Sequence, residues 1–129
     1  MKNTIQAALF LIFLMTSLVS AEDTGKIAVA AEGNTPAAGV SGMAARSPYF
    51  LIFDRAGALL ETLENPYKTA QRGAGASVVP FLAEKGVTLV VAGNFGPKMI
   101  RTMQSRGMES LEFQGSTEAA VTKILEGSK

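Results

Sequence analysis

The chain contains no cysteine and no histidine. Without cysteine there is no disulfide, so stability must come from core packing even in an oxidising compartment. Thiolate and imidazole are the commonest protein ligands for zinc, copper and iron–sulfur centres, and neither is available. The same gap removes the usual general base beside a serine nucleophile. An excess of one charge is lacking too, with 12 basic side chains against 11 acidic ones. So balanced a chain has no electrostatic footprint for nucleic acid or an anionic membrane. Its carboxylates Glu32, Asp54, Glu61, Glu64 and Glu84 are scattered and fall in no acid–base motif. No enzyme is expected.

What is present begins with a leader. Lys2 gives a positive start, residues 5–19 form an apolar stretch, and Val19-Ser20-Ala21 offers small residues before the charged Glu22-Asp23. That order predicts a secretory signal peptide over residues 1–21, cleaved after Ala21. The apolar stretch spans roughly 22 Å as a helix, short of the roughly 30 Å hydrocarbon core of a membrane. No cysteine follows it to carry a lipid. Processing would leave 108 of the 129 residues and remove Lys2, so the mature chain is formally neutral. The expectation is an exported protein, periplasmic or extracellular, with one domain over residues 22–129 and no stable membrane span after cleavage.

The mature chain alternates between strand and helix patterns. Lys26-Ile-Ala-Val-Ala30 is a short β-type run, closed by the turn-prone Glu32-Gly-Asn-Thr-Pro36. Tyr49-Phe-Leu-Ile-Phe53 is apolar throughout, which predicts a strand buried on both faces. Residues 54–57 form a turn, and 59–64 continue as a hairpin partner. A helix is expected over residues 76–85; Pro80 is harmless if Ser77 is the N-cap and would kink a helix beginning at Gly73. Residues 87–92 predict a buried strand, and Pro97 opens a helix that stops at Gly107. A weaker strand over 108–113 precedes a last helix capped by Ser116, with Glu118 in its first turn. The class is α/β: a five-stranded mixed sheet with about three helices, parallel crossovers in the second half and an antiparallel hairpin early.

Two glycine-rich segments are the candidate ligand loops. Gly93-Asn94-Phe95-Gly96-Pro97 joins a strand end to a helix start, where α/β sheets place crevices and free amides favour anions. Lys98 and Arg101 would reinforce it. A plain tight turn accounts for the same residues. Gly73-Ala74-Gly75 is a second candidate amide nest, with a plain loop as its alternative. The loop over residues 31–47 is long for a small domain, and such loops are functional or mobile. It contributes Gly33, Asn34, Ser41 and Arg46, whose guanidinium can fork-bond an anion. Met99 and Met103 lie four apart on one helix face and read as core. Met43, Met99, Met103 and Met108 are the sulfurs left after processing, without a tight cluster for Cu(I).

In order and spacing, these segments resemble the dinitrogenase iron–molybdenum cofactor biosynthesis family. The carriers are Lys26-Ile-Ala-Val-Ala-Ala-Glu-Gly33, Val40-Ser41, Arg46-Ser-Pro-Tyr-Phe-Leu-Ile-Phe-Asp54, Glu64-Asn-Pro66, Gly73-Ala-Gly75, Leu82-Ala-Glu-Lys-Gly-Val87 and Gly93-Asn-Phe-Gly-Pro97. The resemblance implies a ribonuclease-H-like fold and a small carrier or accessory domain for the nitrogenase cofactor and its precursors. At Ala44-Ala45 the family commonly has Phe-Gly, and its cofactor-binding members are thought to use histidine or cysteine. The implied partner is therefore an iron–molybdenum or iron–sulfur type cluster, or an oxyanion, held by Gly33, Asn34, Ser41, Arg46, Gly73, Gly75, Gly93, Asn94 and Gly96. The competing expectation is an envelope interaction or scaffold module with no metal ligand. Intact-mass measurement of the exported protein is expected to show a chain starting at Glu22; retention of Met1 would contradict cleavage.

Overall fold

The computed structural model describes residues 25–127, so the expected leader lies outside the described residues. Five strands form one mixed sheet: β1 (Lys26–Ala31), β2 (Tyr49–Phe53), β3 (Leu59–Glu64), β4 (Val87–Ala92) and β5 (Glu109–Glu112). The helices are α1 (Ala74–Glu84), α2 (Pro97–Ser105) and α3 (Thr117–Gly127), with a short 3-10 turn at Ala44–Arg46. Strand order is β3-β2-β1-β4-β5. β1 pairs antiparallel with β2 and parallel with β4, while β5 is parallel to β4. This is the five-stranded, three-helix α/β arrangement that the sequence pattern implies, and its strand order is ribonuclease-H-like.

The core follows from alternation along the strands. Ala28, Ala30, Phe50, Ile52, Val90 and Ala92 face α1 and α2, against Val78, Val79, Leu82, Met99 and Met103. Ile27, Val29, Leu51, Phe53, Leu89 and Val91 face the other way, against Ala120 and Val121 of α3. Met99 and Met103 are core residues, as their spacing predicts. Beyond their first residues, and apart from the exposed Thr88 of β4, both faces of the central strands are buried, which explains why β1, β2 and β4 read as nearly continuous apolar runs. The hairpin turn is set by Asp54, whose Oδ1 accepts the amides of Ala56 and Ala58, both at 2.9 Å. Gly57 supplies the positive φ of +91° that the turn needs. Ser116 caps α3, its hydroxyl accepting the Ala119 amide at 3.1 Å.

One expectation needs correction, and one open alternative is narrowed. Helix α1 starts at Ala74 rather than residue 76, with Gly73 as N-cap in the left-handed region at φ +72°. Ser77 is therefore inside the first turn, where its amide bonds the Gly73 carbonyl at 3.0 Å. Pro80 sits in the helix interior and leaves the Ala76 carbonyl without its i+4 donor, on an exposed residue that water can reach. The long early loop is also fastened throughout. Glu32 donates to Gly39 at 2.9 Å, Ser41 to Ala30 at 2.7 Å, Val40 to Gly115 at 2.8 Å and Ala44 to Asn94 at 2.9 Å. A segment with so many backbone partners is part of the frame.

Asn65 fixes the passage from β3 towards α1. It is buried, its Nδ2 donates to the Ala45 carbonyl and its Oδ1 accepts the Tyr67 amide, each at 2.9 Å. Asn65→Ala leaves both partners unsatisfied, so a loss of about 1–3 kcal/mol is expected. Urea denaturation monitored by circular dichroism measures it.

Candidate functional site

Strands β1, β3 and β4 end on the same side of the sheet, and the loops after them build one cleft; a second, between α2 and β5, shares one wall with it. Residues 93–97 form that wall. Gly93 is there because nothing larger fits: a Cβ would come within 3.0 Å of Gly42 Cα and 3.3 Å of the Ser41 carbonyl oxygen. The Gly93 amide also donates to that Ser41 carbonyl at 2.8 Å. Asn94 closes a local turn by accepting the Gly96 amide on Oδ1 at 3.1 Å. Gly96, at φ +75°, then serves as the N-cap of α2, with Pro97 in the first helical position.

The first cleft lies between this wall and the start of α1. It encloses about 640 Å³ and is lined by Met43, Arg46, residues 71–76 and residues 95–99. Both helices present their N-terminal turns here, and neither has a side-chain cap. First-turn amides have no partner within the helix, and the helix dipole adds partial positive charge at the same end. Gly75 lets the two helix starts approach closely, since a Cβ would lie 3.0 Å from Met99 Cβ and 3.4 Å from its backbone nitrogen. Arg46, Arg72 and Lys98 line the cleft, and no carboxylate does. The site is built to attract negative charge.

Arg46 has a second task. Its Nη1 donates to the Ala70 carbonyl, tying the 3-10 turn to the segment that delivers Arg72 and Gly73. Arg46 is exposed and lines the cleft. Met43 is the exposed sulfur at this rim, 52% accessible, whereas Met99, Met103 and Met108 are buried. Ser41 holds Met43 in place. Its hydroxyl lies 3.3 Å from the Met43 carbonyl oxygen and 3.4 Å from the Met43 amide.

The second cleft, about 670 Å³, lies on the other side of the wall between α2 and β5. Phe95, Ile100, Arg101, Ser110, Leu111 and Glu112 contribute to it. Of the residues singled out from sequence, Arg46, Gly73, Gly75 and Gly96 line the first cleft, and Asn94 and Gly96 the second. Ser41 and Gly93 support the wall from behind. Gly33 and Asn34 line neither of these clefts; they sit in the turn that Glu32 and Gly39 close. Arg72 was not singled out from sequence. Its signal was its place directly before Gly73-Ala-Gly75, which puts a guanidinium at a helix start.

The chain matches the family model described as dinitrogenase iron-molybdenum cofactor over residues 25–127. No curated protein matches it. Among solved structures, the apo form of the orange protein from Desulfovibrio gigas is similar at a TM-score of 0.71 and 29% identity, covering 81% of this chain and 89% of that one. A Thermotoga protein described as NifB, of the DUF35 family, is similar at a TM-score of 0.69 and 31% identity, covering 80% of this chain and 89% of that one.

Gly75→Val forces a side chain into the contact between the helix starts. Overpacking of this kind costs about 1–3 kcal/mol, and the midpoint of thermal or urea unfolding is expected to fall accordingly.

Proposed function

The chain belongs to the dinitrogenase iron-molybdenum cofactor family, and from that premise we propose that it is a non-catalytic carrier domain whose cargo is an anionic metal–sulfur cluster seated in the first cleft. The observation that carries this reading is the lining: Arg46, Arg72 and Lys98 with two uncapped helix starts, and no carboxylate. The orange protein and the NifB protein of Thermotoga share this fold at about 30% identity, which supports a kindred task.

The donor set decides how such a cargo would be held. Among the described residues no group of three or more histidine, cysteine, aspartate or glutamate side chains could hold a metal ion. Amides and guanidinium groups are hydrogen-bond donors and cannot coordinate a metal, but they suit the sulfide or oxide atoms on the outside of a cluster. The thioether of Met43 is the one soft donor exposed at the rim among the described residues. The cargo would therefore be retained by charge and hydrogen bonding around its periphery. We infer further that the domain is exported; the pattern of residues 1–21 supports this.

Anaerobic titration of the purified chain with a synthetic iron–sulfur thiolate cluster, and separately with molybdate, tests the reading. Saturable uptake of the cluster is expected, weakening with salt. The double variant Arg72→Gln/Lys98→Gln should weaken it by about tenfold or more, equivalent to about 1.4 kcal/mol. Uptake of neither species overturns the proposal, and uptake of molybdate alone reassigns the cleft to an oxyanion.

A further inference from the structure

Strand β5 ends the sheet on one side, beside the second cleft. The Phe113 amide donates to the Ala92 carbonyl at 3.0 Å, so the backbone there faces β4. Backbone direction alternates along a strand, which turns Leu111 and Glu109 towards β4 as well. The N–H and C=O groups of Ser110 and Glu112 consequently face outward, where no strand of the sheet meets them. In register, Ser110 lies beside Val90 and Glu112 beside Ala92. Both neighbours belong to the core layer under α1 and α2, so the side chains of Ser110 and Glu112 stand on the side of the sheet that carries the cleft. Unpaired backbone donors and acceptors thus run along an apolar groove formed by Phe95, Pro97 and Ile100.

We propose that this edge takes up an extended, basic segment of a partner protein, added to β5 as a sixth strand with one apolar side chain in the groove. Main-chain pairing would give such a complex its affinity and the pocket its selectivity. The charge of the edge fixes the kind of segment. Glu109 and Glu112 are exposed, and the ion pair found among the described residues joins Lys85 to Glu61 instead. Glu109 lies beside Leu89 of the α3 layer, on the face away from the groove. Lysine or arginine opposite it, alternating with the apolar residue that enters the groove, is favourable, whereas like charges opposite each other destabilise a strand pair. A second copy is disfavoured on that ground. In a second copy the free edges are β3 and β5 again, which carry Glu61, Glu64, Glu109 and Glu112 and no lysine or arginine to set against them. The groove shares Phe95, Gly96 and Pro97 with the cationic cleft, so a segment bound there would touch the wall of that cleft. The inference itself rests on the strand edge and does not require a cargo.

The test uses the full chain and two synthetic octapeptides, one alternating lysine and valine, the other glutamate and valine, followed by amide chemical shifts. Saturable shifts at Ser110, Glu112 and Ile100 are expected with the lysine peptide and none with the glutamate peptide. Glu109→Lys/Glu112→Lys should reverse that preference. Ser110→Pro removes an outward donor while leaving the pairing with β4, and should weaken binding by about tenfold or more. The reversal variant decides the matter if the proline variant fails to fold. Equal binding of both peptides, shifts confined to residues 59–64, absence of binding, or a concentration-dependent dimer shifting the same β5 amides would each overturn the proposal. Titration with the iron–sulfur cluster leaves these outcomes unaffected, so the two proposals fail separately.

Discussion

Strand β1 carries two kinds of partnership at once, and the rest of the molecule is arranged around it. One side of Lys26–Ala31 is paired antiparallel to β2, the other parallel to β4. Residues 27–31 have no solvent-accessible surface. The antiparallel side is reached through the long 32–48 loop without an α-helix crossing the sheet, while the parallel side demands crossovers, supplied by helices packed on the sheet. Because β1, β4 and β5 run the same way, their following loops gather at one end. The clefts are a consequence of that direction. A ligand site at the ends of parallel strands requires nothing more than loops of the right chemistry.

Much of this was legible in the chain. Apolar runs with turn residues at their ends located β1, β2 and β4, and the glycines at 57, 86 and 107 marked the stops through their positive φ. What escaped was information that lives between segments. The start of α1 depends on Gly75 lying against Met99, a contact between residues 24 positions apart that no local propensity records. The 31–47 loop read as functional or mobile because many of its hydrogen bonds run to distant residues such as 93, 94, 115 and 117. Arg72 belongs to a polar stretch with no periodicity, and only the placement of α1 brings it to Lys98. Gly33 and Asn34 drew attention through their residue types, which equally well describe a turn.

The absence of cysteine and histidine takes on a different meaning beside the cleft. Coordinate bonds to thiolate or imidazole make release a ligand-exchange step, with its own barrier. A cargo held at its periphery by guanidinium, ammonium and amide donors leaves without breaking any metal–protein bond. Affinity then depends on charge and ionic strength, and exchange can be rapid. Such a domain is better suited to handing over its contents than to storing them.

Behind the shared wall, Gly93 and Gly42 touch with almost no space between their backbones, although 51 positions separate them in the chain. Gly93 cannot acquire a side chain without displacing Gly42 and the Ser41 carbonyl that receives its amide, whereas a Cβ at Gly42 would meet nothing within 4 Å. The constraint is therefore one-sided. Among descendants of this sequence, position 93 has to stay glycine for as long as the 41–43 turn keeps its path, while position 42 is free to take a side chain.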